Sequence, residues 1–212
     1  MATTTDAPIV LESGDRLSRA EFHRRYDLRP DIRKAELVLG VVYVPSPLRS
    51  EQHGEPHSLA DFWLGAFAAR TPGVRVSLDP TIYLTEDSEV QPDLVLFREP
   101  APGGRLQRTP DGYLQGAPEL VMEIAASSAS YDLHDKREAY RRAAVPEYVV
   151  WRVIDQAIDW FRLHGGAYVP VAPDERGVIE SAVFPGLRLS VPAMLAGDRA
   201  AILAALDPPL PR

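Results

Sequence analysis

The amino-acid sequence predicts an α/β fold, a mixed central sheet flanked by helices with β-hairpins at its periphery. Three observations carry that expectation. Residues 118–153 read as strand, polar loop, helix, strand. Residues 157–163 and 167–171 flank Gly165-Gly166 as a hairpin. Residues 56–70 set Leu59, Phe62, Trp63, Ala66 and Phe67 at three-to-four-residue spacing, the apolar stripe of a helix that lies on a core.

The 118–153 stretch is the organising unit. Over 119–126, Glu119, Val121, Glu123 and Ala125 alternate with Leu120, Met122, Ile124 and Ala126, the period of a strand. A Ser-rich loop follows, and Asp132 is suited to cap a helix running to about Ala143. On that helix Leu133, Lys136, Arg137, Tyr140 and Ala144 are neighbours, so Lys136 and Tyr140 share a face. Val145-Pro146 stops it, because proline lacks the amide and restricts the residue before it. Residues 148–153 then supply a second β-rich run, and the whole predicts a right-handed βαβ unit.

Along the rest of the chain, Ser18 with Glu21 three positions on has the form of a capping box and opens a short helix ending near Tyr26. Residues 35–44 form two short strands turned at Gly40 and closed by Pro45. His53 and His57 are spaced like a pair of metal ligands. Gly54 and Pro56 argue against one helix through both, and no third ligand is near in sequence, so capping, packing or substrate contact is the expectation. Residues 74–78 and 81–84 are strands on either side of Pro80. Pro92 opens the run Asp93-Leu94-Val95-Leu96-Phe97, which puts Asp93 at the mouth of a buried strand. Residues 98–117, with Pro100-Ala101-Pro102-Gly103-Gly104, are expected to form one long loop. Residues 178–184 and 187–191 continue the β pattern around Pro185-Gly186, and a single helix over 193–205 closes the fold. The domain is expected to span 18–206, between an N-terminal extension of 1–17 and a Pro-rich tail of 207–212.

Composition bounds the function. With 212 residues, 45% hydrophobic and 25% charged, the chain can bury one sizeable core. It has no cysteine, which excludes disulfides and thiolate zinc sites and suits a reducing cytoplasm. No basic-then-apolar leader opens the chain, and no window of about 18 uninterrupted apolar residues occurs, so neither secretion nor a membrane span is expected. A net charge of −7 argues against a wholesale nucleic-acid coat and leaves room only for a local basic strip.

Three carboxylates, Glu36, Asp93 and Glu123, stand at strand positions where packing explains them poorly, since an uncompensated charge in an apolar strand costs several kcal/mol. Lys136 is the base nearest them in the pattern. Carboxylates a few ångströms apart raise one another's pKa unless a cation lies between them. Oxygen donors without sulfur suit Mg²⁺ or Mn²⁺. Such an ion polarises a phosphoryl oxygen and lowers the pKa of its water, while a lysine ammonium stabilises the growing charge. Spacing alone leaves a plainer role open for each: Glu36 facing solvent on an edge strand, Asp93 capping a strand, Glu123 paired with Lys136, Tyr140 as a core aromatic with a polar tip.

The ordered blocks Pro92-Asp93, Pro118-Glu119-Leu120-Val121-Met122-Glu123, Tyr131-Asp132-Leu133-His134-Asp135-Lys136-Arg137-Glu138-Ala139-Tyr140 and Val145-Pro146-Glu147-Tyr148 resemble the Uma-two family of restriction endonucleases, in the PD-(D/E)xK nuclease superfamily. The likeness covers about three-quarters of the chain, from the Gly40 hairpin to the hairpin after Trp151. It implies a restriction-endonuclease-like fold in which Asp93 and Glu123 are metal ligands, the Ile124 backbone carbonyl joins them, and Glu36 reaches the metal through water. Ala125 occupies the position where the superfamily pattern has lysine. The resemblance implies that Lys136, displaced onto the following helix, replaces it, with Tyr140 orienting it or touching phosphate. His57 matches a helix-opening histidine of the family and is taken as a substrate contact, as are Arg137 and Arg141, for which a solvated helix face is the alternative.

The implied activity is Mg²⁺- or Mn²⁺-dependent hydrolysis of phosphodiester bonds in DNA by a metal-activated water. The alternative is a nuclease-fold module that binds or regulates and cuts little. Paired acids could also hydrolyse glycosides, but no aromatic sugar platform accompanies them and that chemistry has no use for the lysine. DNA is the expected partner, with no membrane association, and a C₂ homodimer is expected because restriction-type nucleases address two strands.

Overall fold

The computed structural model describes residues 10–45, 53–99 and 105–206. The first nine residues of the expected extension, residues 100–104 of the expected loop and the Pro-rich tail lie outside these. Two mixed six-stranded sheets dominate the chain. One contains β3 (Val74–Leu78), β6 (Leu94–Arg98), β9 (Leu120–Ala125), β10 (Glu147–Arg152), β11 (Ala157–His164) and β12 (Ala167–Pro170), in the order β12-β11-β10-β9-β6-β3. The other contains β1 (Glu36–Val38), β2 (Val41–Tyr43), β4 (Ile82–Thr85), β5 (Ser88–Val90), β7 (Leu106–Arg108) and β8 (Leu114–Gly116), in the order β2-β1-β5-β4-β8-β7. A separate pair joins β13 (Val178–Glu180) and β14 (Arg188–Ser190).

The organising unit forms as the sequence predicts. β9 and β10 are parallel neighbours, Glu123 opposite Val150, and the chain between them is helical. That helix departs from expectation in two ways. It begins earlier, as α3 (Ala129–Tyr131) after Ser128, and passes through a π-helical turn over Asp132–Lys136 into α4 (Arg137–Arg142). Asp132 is therefore not its cap: it sits buried in the π turn, where it accepts a hydrogen bond from the Ser128 hydroxyl at 2.6 Å. Single π turns are rare and concentrate at functional positions, because the extra residue rotates the side chains that follow.

α1 (Arg19–Asp27) starts at Ser18, whose hydroxyl accepts from the Glu21 amide, one half of the capping box, while the Glu21 carboxylate accepts from Arg24 and Arg25 instead of the Ser18 amide. α2 (Glu55–Ala68) lays Leu59, Trp63, Leu64 and Phe67 on the sheet face that carries Leu94, Leu96, Leu120, Met122 and Ile124. The opposite face carries Val95, Phe97, Val121, Ala125 and Val150, packed with Tyr140 and with Val38, Ile82 and Val90 of the second sheet. Strand alternation thus sets Glu123, between Val121 and Ala125, against the second sheet and the β9–β10 helix. Asp93 precedes Val95 and Phe97 with the same parity, so it shares that side.

Two expectations are corrected. Residues 98–117 are not one loop, since β7 and β8 lie within them and β8 pairs parallel with β4. The terminal helix is two, α5 (Val191–Ala196) and α6 (Arg199–Leu206), broken where Gly197 turns left-handed at φ 70°.

Candidate metal centre

Lys136 lies inside a shell of acids. Its Nζ is 2.7 Å from Glu123 Oε1, 3.0 Å from Glu36 Oε1 and 4.0 Å from Asp132 Oδ1. The Tyr140 hydroxyl donates to the same Glu123 oxygen at 2.8 Å, so the shared face predicted for Lys136 and Tyr140 grips one carboxylate from both sides. Glu36 is anchored in turn by the Gln91 amide at 2.7 Å. Lys136, Glu123, Glu36, Asp132 and Tyr140 are all buried.

Asp93 joins this cluster through the next residue of β9. The Ile124 amide donates to Asp93 Oδ2 at 2.7 Å, which leaves Oδ1 facing the Lys34 ammonium at 3.3 Å and His53 Nε2 at 3.5 Å. His53 Nδ1 lies 3.1 Å from the Ile124 carbonyl, and a nitrogen facing a carbonyl carries the proton. His53 Nε2 faces Asp93 Oδ1, so the ring bridges the Asp93 carboxylate and the Ile124 carbonyl.

Burial acts on these groups in opposite directions. The Glu123 carboxyl is pushed up to about 8 by desolvation, which the nearby Lys136 charge only partly offsets. Asp132 is pushed up to about 6, again by burial first. Asp93 stays below its ordinary value: desolvation works against it, but Lys34, His53 and Lys136 outweigh that. Lys136 resists desolvation and is held well above the usual lysine range by Glu123 and Glu36. Burial thus favours the protonated form of Glu123, while the surrounding acids hold Lys136 charged.

The donor set fits a hard divalent ion. Glu36, Asp93, Glu123 and Asp132 place four carboxyl groups around the Lys34 and Lys136 ammoniums, so acidic groups outnumber basic ones. Oxygen donors of this kind suit hard divalent cations.

The expectation that His53 and His57 are kept apart by Gly54 and Pro56 is corrected. Gly54 is helical, at φ −61° and ψ −44°, and Pro56 sits in the first turn, where its missing amide costs nothing. The two rings stack at 5.6 Å. His57, Asp79 and Asp93 also bring ligand atoms within 4.8 Å of one another. In that triad His57 Nε2 donates to the Asp93 carbonyl at 3.1 Å, and Lys34 stands 3.7 Å from Asp79 and 3.3 Å from Asp93, the same ion pair that Asp93 brings to the acid cluster.

Of the residues expected at the site, Glu36, Asp93, Glu123, Ile124, Lys136 and Tyr140 come together, with His57 at the edge. Arg137 and Arg141 do not. Arg137 lies over the Phe161 ring, and Arg141 is tied to Glu138 and to the Gly166 carbonyl. Lys34, His53, Asp79 and Asp132 complete the cluster. Sequence reading gave His53 no ligand role and Asp132 only a capping one, and neither Lys34 nor Asp79 stands in a pattern that marks it. The spacing of His53 and His57 was a real signal, set aside because of the intervening glycine and proline.

Residues 19–192 match the family Uma2, described as "Putative restriction endonuclease". The chain belongs to the Uma2 family. Among solved structures, this Uma2 chain resembles a protein from Anabaena variabilis described as "a putative nuclease belonging to DUF820", with a TM-score of 0.59 at 16% identity over 76% of this chain and 89% of that one. The likeness shows a shared fold. No curated protein matched the chain. The Uma2 match spans every residue of the acid cluster, from Lys34 to Tyr140.

Proposed function

We propose that this Uma2 protein is a divalent-cation-dependent nuclease that hydrolyses phosphodiester bonds in DNA with water as the nucleophile. One observation carries the reading: Asp93, the Ile124 backbone, and Glu123 clasped by Lys136 and Tyr140 occupy a single buried cluster in which carboxyl groups outnumber cations. Asp93, Glu123 and the Ile124 carbonyl would hold Mg²⁺ or Mn²⁺, with Glu36 reaching it through water. An ion held there supplies Lewis-acid charge and acidifies a water.

The chain's own residues do the rest. Lys136 keeps its proton and offers fixed positive charge beside Glu123, where charge grows on the phosphoryl oxygens. Tyr140 fixes the Glu123 rotamer through its hydrogen bond, and Gln91 fixes Glu36. His57 braces the Asp93 backbone and lies near enough to the mouth of β6 to meet substrate. Lys34 is a quarter exposed, so it is free to leave Asp93 for a phosphate. A homodimer in which each copy engages one strand suits this activity, and sedimentation that reads only the single-chain mass would remove that part.

The test is purified protein on supercoiled plasmid with Mg²⁺ or Mn²⁺. Nicked or linear product is expected, and Asp93→Ala should reduce it by about 100-fold or more. Cleavage unchanged by that substitution, or none with any metal, defeats the reading. A second reading, a nuclease-fold module that binds DNA and cuts little, is favoured by Lys34 already standing on Asp93. DNA binding without turnover would select it.

A further inference from the structure

Two concavities meet at Thr81 and Tyr113. One, of about 510 Å³, opens beside the candidate centre and has Arg33, Lys34 and Asp79 in its wall. The other, of about 730 Å³, has Arg75 and Arg108 in its wall. Thr81 and Tyr113 line both, so the two concavities adjoin there. Together this paired groove extends from Lys34, 3.3 Å from Asp93, past Tyr113 to Arg108, along the seam where β3 and β6 of one sheet adjoin β4, β7 and β8 of the other.

The groove is basic in an acidic protein. Five basic side chains line it against three acidic ones, while the chain carries −7. Arg33 and Arg108 are exposed, and neither guanidinium has an ion pair or side-chain hydrogen bond among the described residues. Tyr113 stands between them, braced against Tyr83 at 5.3 Å and His23 at 5.4 Å.

Unpartnered cations on both sides of a braced aromatic ring are what an unpaired strand requires: cations follow its phosphates, and a ring accepts a base face. The ring decides between strand forms: a duplex keeps its base faces stacked on one another, so Tyr113 can take a base face only from an unpaired strand.

We propose that this groove binds single-stranded DNA, with phosphates on Arg33 and Arg108 and a base against Tyr113, and leads the strand to Lys34 and Asp93. The inference deepens the nuclease reading and rests on it for the ligand's identity.

Binding is measured in EDTA, so that it does not depend on catalysis, by fluorescence anisotropy of a labelled oligo-dT strand and of its duplex with oligo-dA. The single strand should bind more tightly than the duplex. Arg33→Ala and Arg108→Ala should each weaken single-strand binding several-fold and lower the log–log salt slope by about 0.7, the contribution of one phosphate contact. Tyr113→Ala should weaken it about fivefold or more, and Tyr113→Phe, which keeps the ring, should restore it. Arg176→Ala, in a distant exposed turn, should change nothing.

A duplex bound as well as the single strand, no binding of either, or binding indifferent to Arg33 and Arg108 overturns the inference. If plasmid is cut while these arginines prove irrelevant, the groove falls and the nuclease stands. If the strand binds through them but no metal supports its cleavage, the groove stands and hydrolysis falls.

Discussion

Removing the Lys136 ammonium would leave Glu36 and Glu123 buried without their common cation, a loss on the order of 3–5 kcal/mol for a broken buried pair. Lys136→Met should therefore lower the urea midpoint of metal-free protein sharply, and adding Glu123→Gln should recover part of the loss. A single variant as stable as wild type would mean the cluster is not held by this charge. The same residues set a pH dependence. The Glu123 carboxyl sits near 8 when folded, above its ordinary 4.5, so between those values the folded chain holds a proton that the unfolded chain releases. Stability of the metal-free protein should fall as pH rises from about 4.5 to about 8, by an amount on the order of a few kcal/mol, and level off above. Glu123→Gln should flatten that slope, and a slope of the same size in the variant would assign it elsewhere. Glu36, Asp93 and Glu123 were legible because a carboxylate in an apolar strand is costly wherever it occurs. Lys34 and Asp79 were not, because a lysine outside any strand or helix and a turn aspartate cost nothing locally and gain meaning only when folding brings them to Asp93.

The helix between β9 and β10 ends in a local arrangement that can be tested by itself. The Ala144 amide donates to the Arg141 carbonyl and the Val145 amide to Tyr140, the paired bonds of a Schellman cap, and Ala144 holds φ at 58°. A Cβ in that left-handed region costs about 1–2 kcal/mol, partly offset by the freedom glycine gains when unfolded. Ala144→Gly should raise the unfolding free energy by about 0.5–1 kcal/mol in a denaturant titration. A loss would show that the cap is not as described. At this scale the sequence reading succeeded where signals are local: the period of β9, the stop at Val145-Pro146, the Gly165-Gly166 turn. It missed β7 and β8, three residues each, because β8 is defined by pairing with β4 from outside its own segment. The break between α5 and α6 did leave a trace. Gly197 ends one helix, and Asp198 opens the next by accepting from the Ala201 amide at 3.0 Å.

Across the whole molecule, the two sheets divide the work. The face of β6 and β9 toward α2 is apolar throughout and supplies the larger core. The other face gives up apolar packing at Asp93 and Glu123 and meets the second sheet, which contributes Glu36 and the seam leading away from it. Buried charge of this kind is retained for a task more readily than for stability, since well-packed apolar residues would serve stability as well or better. The prediction of a mixed sheet flanked by helices therefore held, but the second sheet is more than a peripheral hairpin: it forms one wall of the site. Anomalous diffraction from crystals soaked in Mn²⁺ tests the central claim most directly. A peak bonded to Asp93, Glu123 and the Ile124 carbonyl at about 2.0–2.3 Å is the predicted result. No peak, or one held by His57 and Asp79 with Glu123 still locked to Lys136, would contradict it.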